Sequence, residues 1–348
     1  MQRTRVLIVD DSPSVRSVLQ QVLSSDPNIE VVGTAEDPYV ARDEIKKLNP
    51  DVLTLDIEMP RMDGISFLKN LMRLRPMPVV MVSTLTEKGA PLTLEALEIG
   101  AVDYIAKPQV AQDLGLSGYA EEICSKVKMA ANAKVRGYKH ETSKKNTLVV
   151  PERVSERLDV SRVIGIGAST GGTEAVKEVL IRMPEYCPPI IISQHIPAGF
   201  SRSFADRVNA SSTIEVREAM DGDQLKPGLA LVAPGNRHLV LKKRGIHYFA
   251  SLDDGERVNL HKPSVEVMFD SMNLVTKGHC VAAMLTGMGA DGAQAMLRLK
   301  KVGVPTLAQD EATSVVWGMP GAAVKLGAID RQVALPHMTQ AILKSCLK

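Results

Sequence analysis

The sequence predicts an α/β protein made of two doubly wound domains whose sheets are mainly parallel. Short apolar runs alternate with amphipathic helical segments through the first third of the chain, which is typical of βαβ units. The same alternation returns after residue 158, and 348 residues are enough for two hydrophobic cores. We therefore predict a first domain at 1–125, a basic linker at 126–157 and a second domain at 158–348.

Five apolar runs are the candidate strands of the first domain, and amphipathic segments between them are candidate helices. The strands are predicted at Arg5–Asp10, Ile29–Thr34, Val52–Leu55, Val79–Ser83 and Val102–Ala106. The helices are predicted at Val15–Leu23, Tyr39–Leu48 and Ile65–Leu74. A parallel sheet of this kind binds ligands at the carboxyl ends of its strands.

Charged and polar side chains stand at those carboxyl ends. Asp10 and Asp11 close the first strand and Asp56 closes the third, while Ser83 ends the fourth and Lys107 follows the fifth. Three converging carboxylates repel one another, so a hard divalent cation such as Mg²⁺ is the natural ligand. Lys107 could then pair with a phosphoryl group on Asp56, and Ser83 could donate its hydroxyl to it. The simpler alternative is that these acids only cap helices.

These positions resemble the receiver domain of bacterial response regulators. The matching motifs are Val9-Asp-Asp-Ser12, Leu55-Asp-Ile-Glu-Met-Pro60, Asp63-Gly64 and Ala106-Lys-Pro108. The resemblance implies that Asp56 accepts a phosphoryl group from a partner histidine kinase, with Mg²⁺ held by Asp10, Asp11 and Asp56. It also implies a phosphorylation switch, whose members would be Ser83, Tyr104 and Lys107.

The segment between the two domains is polar and basic. Lys134–Pro151 has no sustained periodicity, which favours a solvated hinge. Its lysines could suggest nucleic-acid binding, but interleaved aromatic residues and a helix-turn-helix pattern are missing. With a net charge of only +2, the whole chain gives no reason to expect a nucleic-acid partner.

Composition indicates a cytoplasmic protein that is not inserted directly into a membrane. No apolar run approaches the roughly 20 residues that cross a bilayer, and no signal peptide is recognisable at the start of the sequence. The four cysteines are widely spaced and show neither metal-ligand spacing nor a disulfide framework.

The second domain is organised around Val163–Gly172, where a buried strand enters a glycine-rich turn that bears Ser169. One interpretation is a phosphate cradle for a dinucleotide, although the glycine spacing is one residue too long. Another is a nucleophile turn, with Ser169 exposed near backbone amides. A turn without chemistry is the third, and the loop alone does not decide among them.

Two further strand ends favour the nucleophile. His195 ends the strand that begins at Ile190, and Asp291 lies in the glycine-rich turn that follows the strand from Cys280. Asp291 could accept a hydrogen bond from Nδ1 of His195, which would then take the proton of Ser169. The main-chain N–H of Met288 is the candidate oxyanion donor.

Two other histidines are rival bases. His238 and His261 lie in polar loops, and we rank both below His195 because neither ends so clear a central strand.

Together these motifs resemble the catalytic domain of the chemotaxis protein-glutamate methylesterases, the CheB family. The matching segments are Gly167-Ala-Ser-Thr-Gly-Gly172, Ser193-Gln-His-Ile-Pro197 and Leu285-Thr-Gly-Met-Gly-Ala-Asp-Gly292. The resemblance implies a serine esterase, regulated by phosphorylation, that hydrolyses glutamate methyl esters on the cytoplasmic helices of methyl-accepting chemoreceptors and deamidates receptor glutamines. Ser169 would be the nucleophile, His195 the acid and base, and Asp291 the orienting carboxylate, with no cofactor for hydrolysis. The alternatives are a response regulator with a DNA-binding or non-catalytic output domain and a nucleotide-dependent oxidoreductase.

Overall fold

A computed structural model of the chain describes residues 3–84, 89–107, 115–135 and 157–348. The chain divides into two compact units, Met1–Glu141 and Thr142–Lys348. The main part of each unit is a parallel sheet with helices packed against it.

The first unit contains five strands and five helices among its described residues. The strands are β1 (Thr4–Val9), β2 (Ile29–Ala35), β3 (Val52–Asp56), β4 (Val79–Ser83) and β5 (Asp103–Ala106). The helices are α1 (Pro13–Ser24), α2 (Pro38–Leu48), α3 (Gly64–Leu74), α4 (Ala90–Ile99) and α5 (Gly115–Ala131). The strands pair in parallel in the order β2-β1-β3-β4-β5. All five predicted strands are confirmed, each to within one residue at both ends.

Local chemistry explains where the first three helices begin. Each follows a residue whose side-chain oxygen accepts a hydrogen bond from a main-chain N–H of the first turn, and these residues are Ser12, Asp37 and Asp63. Proline occupies the start of α1 and α2, where its missing N–H costs nothing. The predicted helices are confirmed to within two residues at either end.

The second unit adds nine strands and six helices in its described part. The strands are β6 (Val163–Ala168), β7 (Ile190–Gln194), β8 (Glu215–Glu218), β9 (Leu229–Val232), β10 (His238–Arg244), β11 (His247–Asp253), β12 (Cys280–Met284), β13 (Thr306–Gln309) and β14 (Arg331–Val333). The helices are α6 (Gly172–Leu180), α7 (Phe200–Ser211), α8 (Val265–Thr276), α9 (Ala293–Lys301), α10 (Met319–Lys325) and α11 (Leu335–Ser345). Seven strands form a parallel sheet in the order β14-β13-β12-β6-β7-β9-β8, while β10 and β11 form a separate antiparallel hairpin.

The strand orders fix where ligands can bind. In the first unit the direction of winding reverses between β1 and β3, and in the second it reverses between β12 and β6. Open α/β sheets bind ligands in the crevice at such reversal points, beyond the carboxyl ends of the strands. Asp10 and Asp56 lie at the first reversal, and Ser169 and Asp291 follow the two strands of the second. The predicted fold class is confirmed in both units.

The two glycines of β6, which suggested a phosphate cradle in the sequence, lie against a helix. A β-carbon on Gly165 would lie 2.4 Å from Sδ of Met272, and one on Gly167 would lie 2.3 Å from Cγ1 of Val265. Both neighbours belong to α8, so these glycines allow that helix to pack closely on the sheet. Close packing of this helix therefore explains these two glycines without a phosphate.

The predicted domain boundaries remain a prediction. Helix α5 runs to Ala131, past the predicted boundary at residue 125. The sequence boundary between the two compact units falls between Glu141 and Thr142, inside the predicted linker. Residues 136–156 of that linker lie outside the described residues. None of the described helices has the length and apolar character needed to cross a membrane.

Candidate active site

Ser169 lies directly after β6, on a sharp turn into α6. Its N–H donates to the carbonyl of Thr286 at 3.0 Å, and its own carbonyl accepts from the N–H of Gly172 at 2.7 Å. Gly171 has φ of 71°, a left-handed conformation that a residue with a side chain adopts at a cost. The turn thus leaves the Ser169 side chain only partly buried at the edge of the sheet.

Three side chains from three strand ends form one hydrogen-bonded line. Nδ1 of His195 lies 3.1 Å from Oγ of Ser169, and Nε2 of His195 lies 2.9 Å from Oδ2 of Asp291. An ionised carboxylate can accept hydrogen bonds but cannot donate them. The ring proton of His195 is therefore on Nε2, and Nδ1 offers its lone pair to the hydroxyl of Ser169. This geometry can move a proton from Ser169 to His195.

The structure corrects one predicted detail of this line. The sequence-based expectation joined Nδ1 of His195 to Asp291, whereas Nδ1 faces Ser169 and Nε2 faces Asp291. The reason is the strand order β12-β6-β7. Nδ1, the ring nitrogen nearer the backbone, meets the serine of the adjacent strand β6. Nε2 extends further and reaches the loop after β12, two strands away.

Asp291 is buried and surrounded by hydrogen-bond donors. Besides His195, it accepts from Nδ2 of Asn259 at 2.8 Å, from Oγ of Ser264 at 2.8 Å and from the N–H of Val265 at 2.7 Å. Ser264 and Val265 are the N-cap and first residue of α8, where a helix presents unpaired N–H groups. Burial would raise the pKa of Asp291, but the hydrogen bonds and the His195 ring lower it to about 2. The carboxylate therefore stays ionised.

The two rival histidines support the line without replacing His195. His238 is buried, with Nε2 at 2.8 Å from the carbonyl of Glu256, while Nδ1 accepts from the N–H of Ser264 at 3.1 Å. It therefore helps to hold the helix end that binds Asp291. The ring of His261 stacks on that of His195, with centroids 3.7 Å apart and planes inclined by 17°.

The loop after β12 brings its backbone against the serine. A β-carbon on Gly287 would lie 2.8 Å from Cβ of Ser169 and 2.5 Å from Sδ of Met319, so this position accepts only glycine. The N–H of Gly287 donates to the carbonyl of Val316 at 3.0 Å. Met288, the predicted oxyanion donor, is the next residue and is half-buried. Its main-chain N–H remains our candidate donor.

A second polar site lies in the first unit. Among the described residues, Asp10, Asp11 and Asp56 each offer a carboxylate oxygen within 4.8 Å of the others. Oδ2 of Asp10 is buried and makes no hydrogen bond, and its nearest cation is Nζ of Lys107 at 3.9 Å. Such an orphaned carboxylate oxygen beside two other carboxylates fits a hard divalent cation.

The buried Asp56 and the partly buried Lys107 form a pair in this site. Nζ of Lys107 donates to Oδ2 of Asp56 at 2.8 Å. Burial raises the pKa of Asp56 to about 6, with a further contribution from the charge of Asp10, and these effects outweigh the lysine. Burial opposes the charge of Lys107, yet its hydrogen bond to Asp56 raises its pKa. Asp56 is thus a carboxylate that is poorly stabilised as an anion.

The predicted switch residues lie in and near the same unit's cleft. Ser83 and Lys107 line a cleft beside Asp56, and Oγ of Ser83 lies 3.0 Å from Oγ1 of Thr93. Tyr104 is buried, and burial raises the pKa of its hydroxyl well above the usual value. Nζ of Lys126 lies 5.2 Å from the centroid of its ring.

Comparison with known proteins identifies both units. The family model described as CheB methylesterase matches residues 164–342, and the response regulator receiver domain matches residues 6–116. A protein-glutamate methylesterase/protein-glutamine glutaminase of Xanthomonas campestris is 53% identical over 344 residues, covering 97% of this chain and 96% of the relative. One of Hydrogenovibrio crunogenus is 50% identical over 371 residues and covers 99% of both chains.

The chain belongs to the CheB methylesterase family. The crystal structure of the Thermotoga maritima CheB methylesterase catalytic domain is similar to it, with a TM-score of 0.52 and 33% identity. That similarity covers 53% of this chain and 97% of the crystallised domain. The predicted family and two-domain fold are therefore confirmed.

Sequence reasoning missed four residues of this CheB-family site. Asn259 and Ser264 bind Asp291, Nε2 of Gln194 donates to the carbonyls of Ser169 and His195, and Thr286 accepts from the N–H of Ser169. A weak signal existed for Ser264, because serine before an apolar helical run is a common N-cap. Gln194 is the last residue of β7, and its role depends on the folded position of the Ser169 turn. Asn259 and Thr286 reach the site only through the folded positions of segments far apart in the sequence.

Proposed function

We propose that this chain hydrolyses γ-methyl esters on glutamate side chains of methyl-accepting chemoreceptors, with Ser169 as nucleophile. The observation that carries the proposal is the hydrogen-bonded line Ser169–His195–Asp291 at the strand reversal of a CheB-family domain. His195 acts as general base and acid, and Asp291 orients its ring and stabilises the imidazolium.

Acylation begins when His195 Nδ1 takes the proton of Ser169 as Oγ bonds to the ester carbonyl carbon. The negative charge on the former carbonyl oxygen accepts a hydrogen bond from the main-chain N–H of Met288. The tetrahedral intermediate collapses, the C–OCH₃ bond breaks, and methanol leaves with the proton from His195. A glutamyl ester on Ser169 remains.

Water completes the reaction by the reverse sequence. His195 removes a proton from water, the hydroxide oxygen bonds to the acyl carbon, and Ser169 leaves with the proton from His195. The receptor is left with a glutamate carboxylic acid, which ionises. The same steps deamidate a receptor glutamine, with ammonia leaving in place of methanol, and neither reaction uses a cofactor.

Phosphorylation of Asp56 regulates the esterase in this proposal. A phosphohistidine of a partner histidine kinase supplies the phosphoryl group: a carboxylate oxygen of Asp56 bonds to phosphorus, the P–N bond breaks, and the kinase histidine leaves with its electron pair. Asp10, Asp11 and Asp56 would hold Mg²⁺, which supplies positive charge to the phosphoryl oxygens when bound. Lys107 and Ser83 provide a cation and a hydroxyl in the cleft beside Asp56, and Tyr104 is the aromatic member of the switch.

The remaining parts of the proposal rest on sequence and family. The receiver domain would span 1–125, the linker 126–157 and the esterase domain 158–348. The protein would act in the cytoplasm on the receptors' cytoplasmic helices, without nucleic acid as a partner and without inserting into the membrane.

The decisive experiment measures methanol release from methylated receptor membranes, with and without a small phosphodonor. Ser169→Ala should reduce the rate by on the order of 10⁶, since removing a serine nucleophile has that effect in serine hydrolases. Ser161→Ala is the matched control, because Ser161 is an exposed serine of the same unit that contacts Asp159 and His279 instead. Methanol release by Ser169→Ala at the wild-type rate would refute the proposed nucleophile.

A further inference from the structure

A two-residue turn lies against the catalytic line. The N–H of Val258 donates to the carbonyl of His261 at 3.1 Å, and the N–H of His261 donates back at 2.9 Å. The central residues Asn259 and Leu260 have φ of 53° and 70°. Positive φ at both central positions is what a type I′ turn requires, and its preferred residues there are asparagine and glycine.

Two residues of this turn, one central and one terminal, contact members of the catalytic line. Asn259 donates from Nδ2 to Oδ1 of Asp291 at 2.8 Å, and the ring of His261 stacks on that of His195. The residue between them, Leu260, is therefore held in place beside the reacting groups. Its position is set by contacts on both sides.

Leu260 is an unusual residue for its position. It is 84% exposed, although it is large and apolar, and it occupies the position where a type I′ turn favours glycine. A leucine with positive φ is strained because its Cβ crowds the backbone. Exposure means that packing within the unit does not offset this strain. Strained residues of this kind gather at functional sites.

The chemistry of the substrate suggests what the side chain contacts. The ester is carried on a protein, and a glutamate side chain is only a few bonds long. Once its carbonyl reaches Ser169, the protein surface around that glutamate must therefore lie against the rim of the site. Leu260 is exposed and adjacent in sequence to the residue that stacks on His195, so we infer that it lies at that rim.

We propose that Leu260 is a specificity-determining residue, which packs on an apolar side chain next to the esterified glutamate of the substrate protein. The inference rests on the proposed esterase function and deepens it. Burying an exposed leucine against an apolar partner favours binding of a protein substrate. A small soluble ester, which has no such partner, gains nothing from it.

Leu260→Asn tests the proposal, because asparagine accepts positive φ and retains a Cβ but loses the apolar side chain. Leu260→Gly, which also fits the turn, is the second variant. Leu260→Met is the conservative variant, because methionine keeps an apolar side chain that can make the same contact. Ile246→Asn is the matched control, since Ile246 is 85% exposed at the tip of the β10–β11 hairpin, roughly 20 Å along the strand from His238. All are assayed as full chains, both without phosphodonor and with phosphodonor at saturation.

We expect kcat/KM on methylated receptor membranes to fall about tenfold in Leu260→Asn, mainly through KM, in the range that a lost apolar contact produces. Hydrolysis of p-nitrophenyl acetate should change less than twofold, and Tm should not fall. Leu260→Met should retain at least half of the receptor activity, and Ile246→Asn all of it.

Three results would overturn the inference. Leu260→Asn could act on receptors like the wild type, or it could lose both activities equally, which would make Leu260 a support for His261. It could also become more active without phosphodonor, which would give Leu260 a role in restraining the esterase and not in binding substrate. If the wild type itself releases no methanol from receptors, the proposed function fails, and the small-ester assay separates that outcome from these.

Discussion

Two buried carboxylates occupy equivalent places in the two units and have opposite properties. Asp56 and Asp291 both lie at the carboxyl edge of a parallel sheet, where the direction of winding reverses. The pKa of Asp56 is raised to about 6, mainly by burial. The pKa of Asp291 is lowered to about 2, although burial acts on it in the same direction.

The number of hydrogen-bond donors explains the difference. Asp291 accepts from the His195 ring, from two other side chains and from the N-terminus of α8. Asp56 has Lys107 and the N–H of Glu58, and it also faces the charge of Asp10. A carboxylate that is fully hydrogen-bonded can orient its neighbour and stabilise a positive charge on it. With one donor on each oxygen, the carboxylate of Asp56 keeps lone pairs available for a metal ion or a phosphoryl group.

The largest effect expected from this comparison is that of Asp291→Asn. An asparagine amide cannot accept from all the donors around Asp291, and its own N–H₂ group would face some of them. Nε2–H of His195 would lose its partner, so the tautomer with a free Nδ1 lone pair would no longer be held. We expect kcat for methanol release to fall about 10⁴-fold, as it does when a triad aspartate becomes asparagine.

Asp270→Asn is the control for this change, because Asp270 pairs with Arg298 at the surface of the same unit. Circular dichroism should show both variants folded. A kcat within tenfold of the wild type in Asp291→Asn would mean that its many donors serve only the fold.

The same isosteric change at Asp56 should leave basal catalysis intact and remove regulation. Asparagine offers no carboxylate oxygen that can accept a phosphoryl group, so methanol release should no longer rise when a small phosphodonor is added. The control is Asp43→Asn on the exposed surface of α2, which should keep full stimulation. Stimulation of Asp56→Asn equal to the wild type would place the phosphoryl acceptor elsewhere.

Stability should also separate the two carboxylates. The folded pKa of Asp56 lies above its unfolded value, so in EDTA lowering the pH from 7 to 5 should stabilise the first unit. A shift from 3.8 to about 6 corresponds to at most about 3 kcal/mol in the free energy of unfolding. Asp291 behaves oppositely, because its folded pKa lies below its unfolded value. Its contribution to the free energy of unfolding is complete above about pH 4 and is lost as the pH falls towards 2.

Calorimetry of the full chain checks this expectation. In EDTA at pH 7, Asp56→Asn should raise the Tm of the first unit. The variant should not show the further increase in Tm that the wild type shows when the pH is lowered to 5. Mg²⁺ should stabilise the wild type more than the variant. Equal pH dependence in the two proteins would show that the burial of Asp56 has no cost.

The sequence predicted the strands and the strand-end residues because both depend on local pattern. Apolar runs identify buried parallel strands, and topology places their carboxyl ends together, so Ser169, His195 and Asp291 could be grouped. Which nitrogen of His195 faces which partner depends on the order β12-β6-β7, and strand order is not a local property.

Supporting groups were harder to predict for the same reason. Asn259 lies 32 residues from Asp291 in the sequence and reaches it only because a turn with two positive φ angles folds back on the sheet. Asparagine in a turn has an ordinary explanation, so nothing in the local pattern distinguishes this one.

The smallest effect we predict tests one donor of the well-stabilised carboxylate. Asn259→Gly removes the hydrogen bond to Asp291, yet glycine keeps the positive φ of the turn. A single hydrogen bond contributes about 1 kcal/mol, so we expect kcat to fall about fivefold and the pKa of Asp291 to rise. Asn49→Gly is the matched control, since Asn49 also has positive φ and lies in the first unit.

The turn that holds Asn259 and Leu260 would then have two separable effects. Asn259→Gly should lower kcat on receptors and on p-nitrophenyl acetate alike, because it weakens the catalytic line that both substrates use. Leu260→Asn should raise KM for receptors alone. If Asn259→Gly changes only KM, its hydrogen bond to Asp291 positions the rim of the site and not the carboxylate. The low pKa of Asp291 would then come from its other donors, without a contribution from Asn259.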